Sequence, residues 1–170
     1  MDALAERQLA ALDEVAGMLG ELQVDYWLFG GWAVDLYVGK WTRPHDDIDV
    51  AVWLSDVPRI REALFGKGWT HAPEAEEDGG TGFEHGDVRL ELTYLERDPD
   101  GRTVIPLSSG PVLWELGPGD VCELQGVRAR VIALSTLTEG KSFPRDDADD
   151  NAKDRADHER LIARVSEQHP

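Results

Sequence analysis

The sequence has almost no cysteine, few basic residues and no long apolar run. Its only thiol is Cys122, so no disulfide can close within one chain. With no C-x-x-C partner, that thiol reads as a half-buried strand residue in "VCEL" rather than as a metal ligand or nucleophile. No stretch approaches the ~20 apolar residues of a membrane span, and the amino terminus "MDALAERQLAALDEVAG" is charged from its second residue. Neither insertion nor secretion is indicated, and a reducing cytoplasm is the expected compartment. Seventeen basic residues face 34 acidic ones, a formal charge of −17. Such a surface repels phosphate backbones and anionic lipid, so no nucleic-acid or membrane partner is expected, whereas a cationic small molecule is attracted. Most of this acid needs no explanation beyond solubility.

What is present is organised as one domain, since 170 residues suffice for a core without metal or disulfide support. Leu4, Leu9, Leu12, Val15 and Leu19 recur at helical spacing and predict an amphipathic helix ending near Gly20. "VDYWLF", residues 24–29, is β-branched and aromatic and stops at Gly30-Gly31, after which "WAVDLYVG" predicts a short helix closed by Gly39. "DIDVAVW" is a strand, followed by the helix "DVPRIREALFGKG" with Asp56 as its N-cap. "WTHAP" reads as a short strand, "EAEEDGGTG" as an acidic loop, "FEH-GD-VRLELTYLE" as a hairpin, and "VCELQGVRARVIAL" as another across Gln125-Gly126. "STLTEGK" gives one or two helical turns. "FPRDDADDNA" reads as a polar linker before a terminal helix "KDRADHERLIARVSEQ", with Ala156, Leu161, Ala163 and Val165 available as its apolar stripe. No repeat at solenoid spacing is present.

The acid in "DIDVAVW" asks for a reason. Strand side chains alternate, so Ile48, Val50 and Val52 share a core face while Asp47, Asp49 and Ala51 share the other. Asp46 falls in the turn. Two half-buried neighbouring carboxylates repel, and a hard divalent cation relieves this best; magnesium suits carboxylate oxygens. A bare D-x-D also occurs as a purely structural pair, bonded to backbone amides. Its context here points to chemistry. Gly30-Gly31 stands between a strand and a helix N-terminus, where free N–H groups and the helix dipole favour phosphate. Lys40, Arg43 and His45 add cations in the connecting turn. Glu91 supplies a third carboxylate on the non-core face of its strand, where the alternative is a solvated residue. Three carboxylates converging on two metal ions are what phosphoryl or nucleotidyl transfer needs, two holding the ions roughly 3.5–4 Å apart and the third completing the coordination or taking a proton.

At "GGWAVDLYVGKWTRPHDDIDVAV" the sequence resembles the antibiotic nucleotidyltransferases of the DNA-polymerase-β-like superfamily, especially the aminoglycoside 2''- and the lincosamide nucleotidyltransferases. The resemblance implies an α+β fold, a mixed β-sheet flanked by helices with a small C-terminal helical extension. It implies a catalytic core over residues 1–105, with a hairpin and helix over 106–170 packing on the same domain. The implied reaction is transfer of AMP from magnesium-bound ATP to a hydroxyl of a small molecule, with release of pyrophosphate. By position, Asp47, Asp49 and Glu91 would be catalytic and ligate the metal. Gly30 and Gly31 would receive the triphosphate, Arg43 and His45 would flank it, and Glu91 falls where related enzymes place the acid that activates the acceptor hydroxyl. "KDRADHERL" resembles a lysine-aspartate motif that makes Lys153 the phosphate lysine, with Asp154 and Asp157 orienting it; Lys141 is the second candidate, and an exposed charge-laced helix is the plainer reading.

The acceptor expected from this reading is a hydroxylated, cationic molecule such as an aminoglycoside, suited to the acidic stretches 74–78 and 146–150, with the enzyme a monomer or homodimer. Two other readings keep the same residues: a toxin–antitoxin type enzyme that adenylylates a protein, and a nucleotide-binding module without turnover. Asp147, Asp149 and Asn151 also imitate the start of an EF-hand loop, but Ala152 stands at its glycine position and His158 at its bidentate one, so calcium is rejected. Of six tryptophans, most belong to the core, while Trp41 and Trp114 fall near loops where they are available to stack on a base or line an acceptor cleft.

Overall fold

The computed structural model describes residues 1–72, 78–143 and 147–168, with the side chains of the last helix described as far as residue 164. Helix α1 (Ala3–Glu21) opens on Asp2, whose side chain accepts from the Ala5 amide at 2.8 Å, and buries Leu9, Leu12, Val15 and Leu19. Strand β1 (Tyr26–Phe29) runs directly into helix α2 (Gly30–Val38), which ends on Gly39 in the left-handed conformation at φ +76°. Helix α2 is buried along most of its length because Trp32, Ala33, Val34 and Leu36 wrap its circumference in apolar surface. Strand β2 (Ile48–Trp53) follows, then a 3₁₀ turn (Leu54–Asp56) and helix α3 (Val57–Gly66). Asp56 does not cap α3 as expected: its side chain makes no capping bond and pairs instead with Arg59 at 3.6 Å, since the 3₁₀ turn already occupies the place of a cap.

Strands β3 (Thr70–Ala72), β4 (Gly80–His85) and β5 (Val88–Arg97) form a meander, and β5 continues into a small second sheet with β6 (Thr103–Ile105) and β7 (Val112–Leu113). Strands β8 (Asp120–Leu124) and β9 (Val127–Val131) meet across Gln125 and Gly126, both at positive φ, as the hairpin reading requires. The main sheet runs β3-β4-β5-β2-β1-β9-β8. It is mixed: β2 pairs parallel with β5 and β1 parallel with β9, while the other neighbours are antiparallel. Helix α4 (Leu134–Gly140) and helix α5 (Ala148–Gln168) complete the fold, with α5 packed on α2 and α4.

Three expectations change. Ala51, placed with the acids on a non-core face, is fully buried, so β2 is covered on both faces beyond Asp49. Leu95, assigned to the outer face of β5, is buried while Tyr94 is only partly so, at the end where β5 turns toward β6. Helix α5 begins at Ala148, inside the stretch read as a linker. Asp147 accepts from the amides of Asp149 at 2.8 Å and Asp150 at 3.0 Å, and acids in the first turn suit the helix dipole. Those bonds also account for the EF-hand likeness of this segment as helix capping. The acidic stretches named for a cationic acceptor fall in part, residues 74–77 and 146, outside the described residues.

Candidate active site

Asp47 stands one residue before β2, Asp49 is its second residue, and Glu91 lies directly opposite Asp49 in the parallel β2–β5 register. That register brings the three together: one carboxylate oxygen from each lies within 4.8 Å of the others, and all three side chains are half-buried. Burial, and then the neighbouring charge of Asp46, pushes Asp47 above the ordinary carboxylate range, against the pull of Arg89, His45 and Arg43. Glu91 also pairs with Arg89 at 3.0 Å. Three anions so close in a partly dehydrated setting repel, and their oxygen-only donor set fits a hard divalent cation such as magnesium.

The glycine pair explains how the acids fit. Gly30 sits at φ +69°, and a Cβ there would lie 1.9 Å from Oδ2 of Asp49; a Cβ on Gly31 would lie 2.3 Å from Nδ1 of His45. The missing side chains admit Asp49 and His45 to the start of α2. Gly31 lines the cleft in front of the acids, whereas Gly30 lies behind it against Asp49. Sequence reasoning assigned both glycines to phosphate and missed this steric role, which follows from Phe29 pairing with Asp49 across β1 and β2.

The cleft encloses about 380 Å³. Its lining holds the acidic cluster and also Arg43, Lys141 and Lys153, with Asp46, Asp150 and Asp154 among them. Lys141, the C-cap of α4, is buried and pairs with Asp154 at 2.7 Å and Asp157 at 3.3 Å. Lys153 is more exposed, at the rim, where it bonds Asp46 at 3.1 Å and Asp150 at 3.5 Å. Both lysines therefore reach the cleft, but Asp154 and Asp157 orient Lys141 and Arg43 rather than Lys153. Lys141, at the end of α4, reaches in to both acids and takes them up, while Lys153 turns to Asp46 and Asp150. The exposed Lys40 is not part of the lining.

Arg43 donates to Asp157 at 2.8 Å, to the carbonyl of Pro44 at 2.9 Å and to Nδ1 of His45 at 3.0 Å. A guanidinium only donates, so Nδ1 accepts and Nε2–H donates to Asp35 at 2.7 Å. His45 is thus held from both sides and, though it lines the cleft, is buried to 5% exposure. Asp35, fully buried on α2, also accepts from the hydroxyl and amide of Thr42, and the side-chain amide of Gln8 donates to the His45 carbonyl at 3.0 Å. Neither Asp35 nor Gln8 was expected here; the available signal for Asp35 was a lone carboxylate in an otherwise apolar helix.

The buried stripe of α5 is Asp154, Asp157 and Leu161. Ala163, expected on it, is exposed, and Ala156 is only partly covered. Among the tryptophans, Trp32 and Trp69 are core residues. Trp41 and Trp114 do not line the acidic cleft; Trp114 packs edge-on against Phe29, which does, with centroids 5.0 Å apart.

Comparison with known proteins matches residues 11–161 to the aminoglycoside-2''-adenylyltransferase family model. A 2''-aminoglycoside nucleotidyltransferase of Klebsiella pneumoniae is 37% identical over 43 residues, and the match takes in only 25% of this chain and 24% of that protein. Among solved structures, ANT(2'')-Ia in complex with adenylyl-2''-tobramycin superposes with a TM-score of 0.68 at 17% identity, covering 94% of this chain and 90% of that one. The lincosamide antibiotic adenylyltransferase LnuA, lincomycin-bound, gives 0.70 at 19% identity, covering 89% and 94%. These likenesses establish a nucleotidyltransferase fold, as the resemblance implied. Among the described residues, no helix is long and apolar enough to cross a membrane.

Proposed function

The chain belongs to the aminoglycoside-2''-adenylyltransferase family, and from that premise we propose that it transfers AMP from ATP to a hydroxyl of a small antibiotic-like molecule and releases pyrophosphate. The observation that carries the reading is the convergence of Asp47, Asp49 and Glu91 in a cleft whose lining also carries Arg43, Lys141 and Lys153. Asp47, Asp49 and Glu91 would hold magnesium, which supplies charge neutralisation at the phosphates. Arg43, Lys141 and Lys153 bind and orient the triphosphate, and Gly31 lines the cleft at the start of α2, where the helix N-terminus favours phosphate.

The acceptor oxygen attacks the α-phosphorus, the bond from that phosphorus to the β-phosphate bridging oxygen breaks, and pyrophosphate leaves with that oxygen. Glu91 takes the proton of the attacking hydroxyl. Its position supports this role: beside the acids opens a second cavity of about 260 Å³, lined by Asp78, Thr81, Leu92, Ile105 and Leu107 and sharing Glu91 and Thr93 with the first. Glu91 therefore stands between a nucleotide cleft and a place for the acceptor. The carboxylates Asp78 and Glu91, in a chain of charge −17, favour a cationic acceptor, as an aminoglycoside is. Likeness to enzymes whose ligands are adenylyl-2''-tobramycin and lincomycin supports a small-molecule acceptor over a polypeptide.

The test is pyrophosphate release from ATP and magnesium over a panel of aminoglycosides and lincosamides. The wild type turns over at least one of them, and chelating the metal stops it. Asp49→Ala loses about 100-fold or more of kcat/KM while staying folded, and Glu91→Gln binds ATP as before but transfers slowly. Undiminished turnover by Asp49→Ala would overturn the reading.

A further inference from the structure

Asp157 is fully buried and is not part of the cleft lining, yet it touches two of the cations that are. Its carboxylate accepts from Arg43 at 2.8 Å and lies 3.3 Å from the Lys141 ammonium, with Arg160 closing a third side at 3.1 Å. These partners come from three places: the turn before β2, the C-cap of α4, and α5 itself. Arg43 and Lys141 are like charges that would separate if nothing lay between them. We infer that Asp157 is a positioning residue for the nucleotide: it clamps Arg43 and Lys141 side by side so that both bear on the triphosphate, and ATP affinity depends on a carboxylate that the nucleotide never meets.

The inference rests on the nucleotide-binding reading above. Burial pushes the Asp157 carboxyl up, but its bonds to Arg43 and Lys141 outweigh this and hold it below the ordinary range, so it is the anion these cations need. Asp154 is no substitute: it pairs with Lys141 at 2.7 Å, and its effect on Arg43 is weaker than that of Asp157, which bonds the guanidinium directly. Arg43 has a second tie, through His45 to Asp35, which fixes the far edge of its guanidinium. Asp157 fixes the other edge, and with it the plane that the guanidinium presents.

The experiment titrates the wild type, Asp157→Asn and Asp157→Glu with ATP and with adenosine, the latter lacking every phosphate. Asp157→Asn is expected to weaken ATP binding about tenfold and leave adenosine binding within about twofold, with KM for ATP rising and KM for the acceptor unchanged. Should the uncompensated cations prevent Asp157→Asn from folding, Asp157→Glu keeps the charge and displaces the carboxylate by one methylene, and it too loses ATP affinity selectively. A merely structural role would weaken both ligands alike or lower only the melting temperature. An unchanged ratio of ATP to adenosine affinity in the folded variants overturns this inference alone. A wild type that binds no ATP overturns the nucleotide reading together with it.

Discussion

Gly30 and Asp49 occupy one another's space: the carboxylate of Asp49 fills the position that a side chain at residue 30 would take, with Oδ2 only 1.9 Å from an ideal Cβ. The glycine is also at φ +69°, where L-residues are strained by roughly 1–2 kcal/mol. Gly30→Ala therefore forces Asp49 out of the acidic cluster. The expected result is a folded protein with turnover reduced about 100-fold or more, since a displacement of about 1 Å at a reacting centre has that effect. Steady-state kinetics beside a melting curve measures it; wild-type turnover would mean that Asp49 need not be fixed.

Asp47 presents the opposite balance, because its burial and the proximity of Asp46 disfavour its charge in the folded protein. A carboxyl raised in this way costs stability once the pH passes its ordinary value, and the cost is complete above its raised folded value. Asp47→Asn is expected to raise the metal-free melting temperature while abolishing transfer. Magnesium should stabilise the wild type and not the variant. A lower melting temperature for Asp47→Asn would show that its attraction to Arg89, His45 and Arg43 wins instead.

Asp157 has the reverse sign. Its carboxyl is held below the ordinary value of 3.8, so the stability it contributes is complete above that value and disappears as the pH falls through its lower folded value. Melting temperature followed from about pH 5 to about pH 2 should fall more steeply for the wild type than for Asp157→Asn. Parallel curves would remove the ion-pair account.

Much of this arrangement was legible because it is local. The strand, glycine pair, helix and acidic strand of residues 24–53 are written in alternation and turn residues, and so are the β8–β9 hairpin and the β4–β5 hairpin from Phe83 on; Gly80, Thr81 and Gly82, read as the end of a glycine-rich loop, are the first half of β4, paired with Thr93, Leu92 and Glu91. The convergence of Glu91 with the two aspartates follows from the family resemblance and from Glu91 facing away from the strand's apolar residues. What escaped was set by partners distant in sequence. The acid-rich start of α5 has the composition of a linker, and only Asp147 capping the amides of Asp149 and Asp150 makes it helix. Asp154 and Asp157 share helical spacing with Leu161, but buried acid is not read as core until its cations are known. Those are Lys141 and Arg43, the latter 114 residues from Asp157 along the chain. Gly30 likewise discloses its role only when β1 and β2 are paired.

The lining of the acidic cleft has a consequence for anyone wishing to block it. Apart from Phe29, Gly31 and Thr93, every residue on that lining is ionisable, and both signs are present. A greasy, uncharged drug finds almost nothing there to displace water from. An effective blocker would have to be a zwitterion or a chelator, and carrying such charge through a lipid bilayer is costly. The neighbouring cavity beside Leu92, Ile105 and Leu107 offers the apolar foothold that the main cleft withholds.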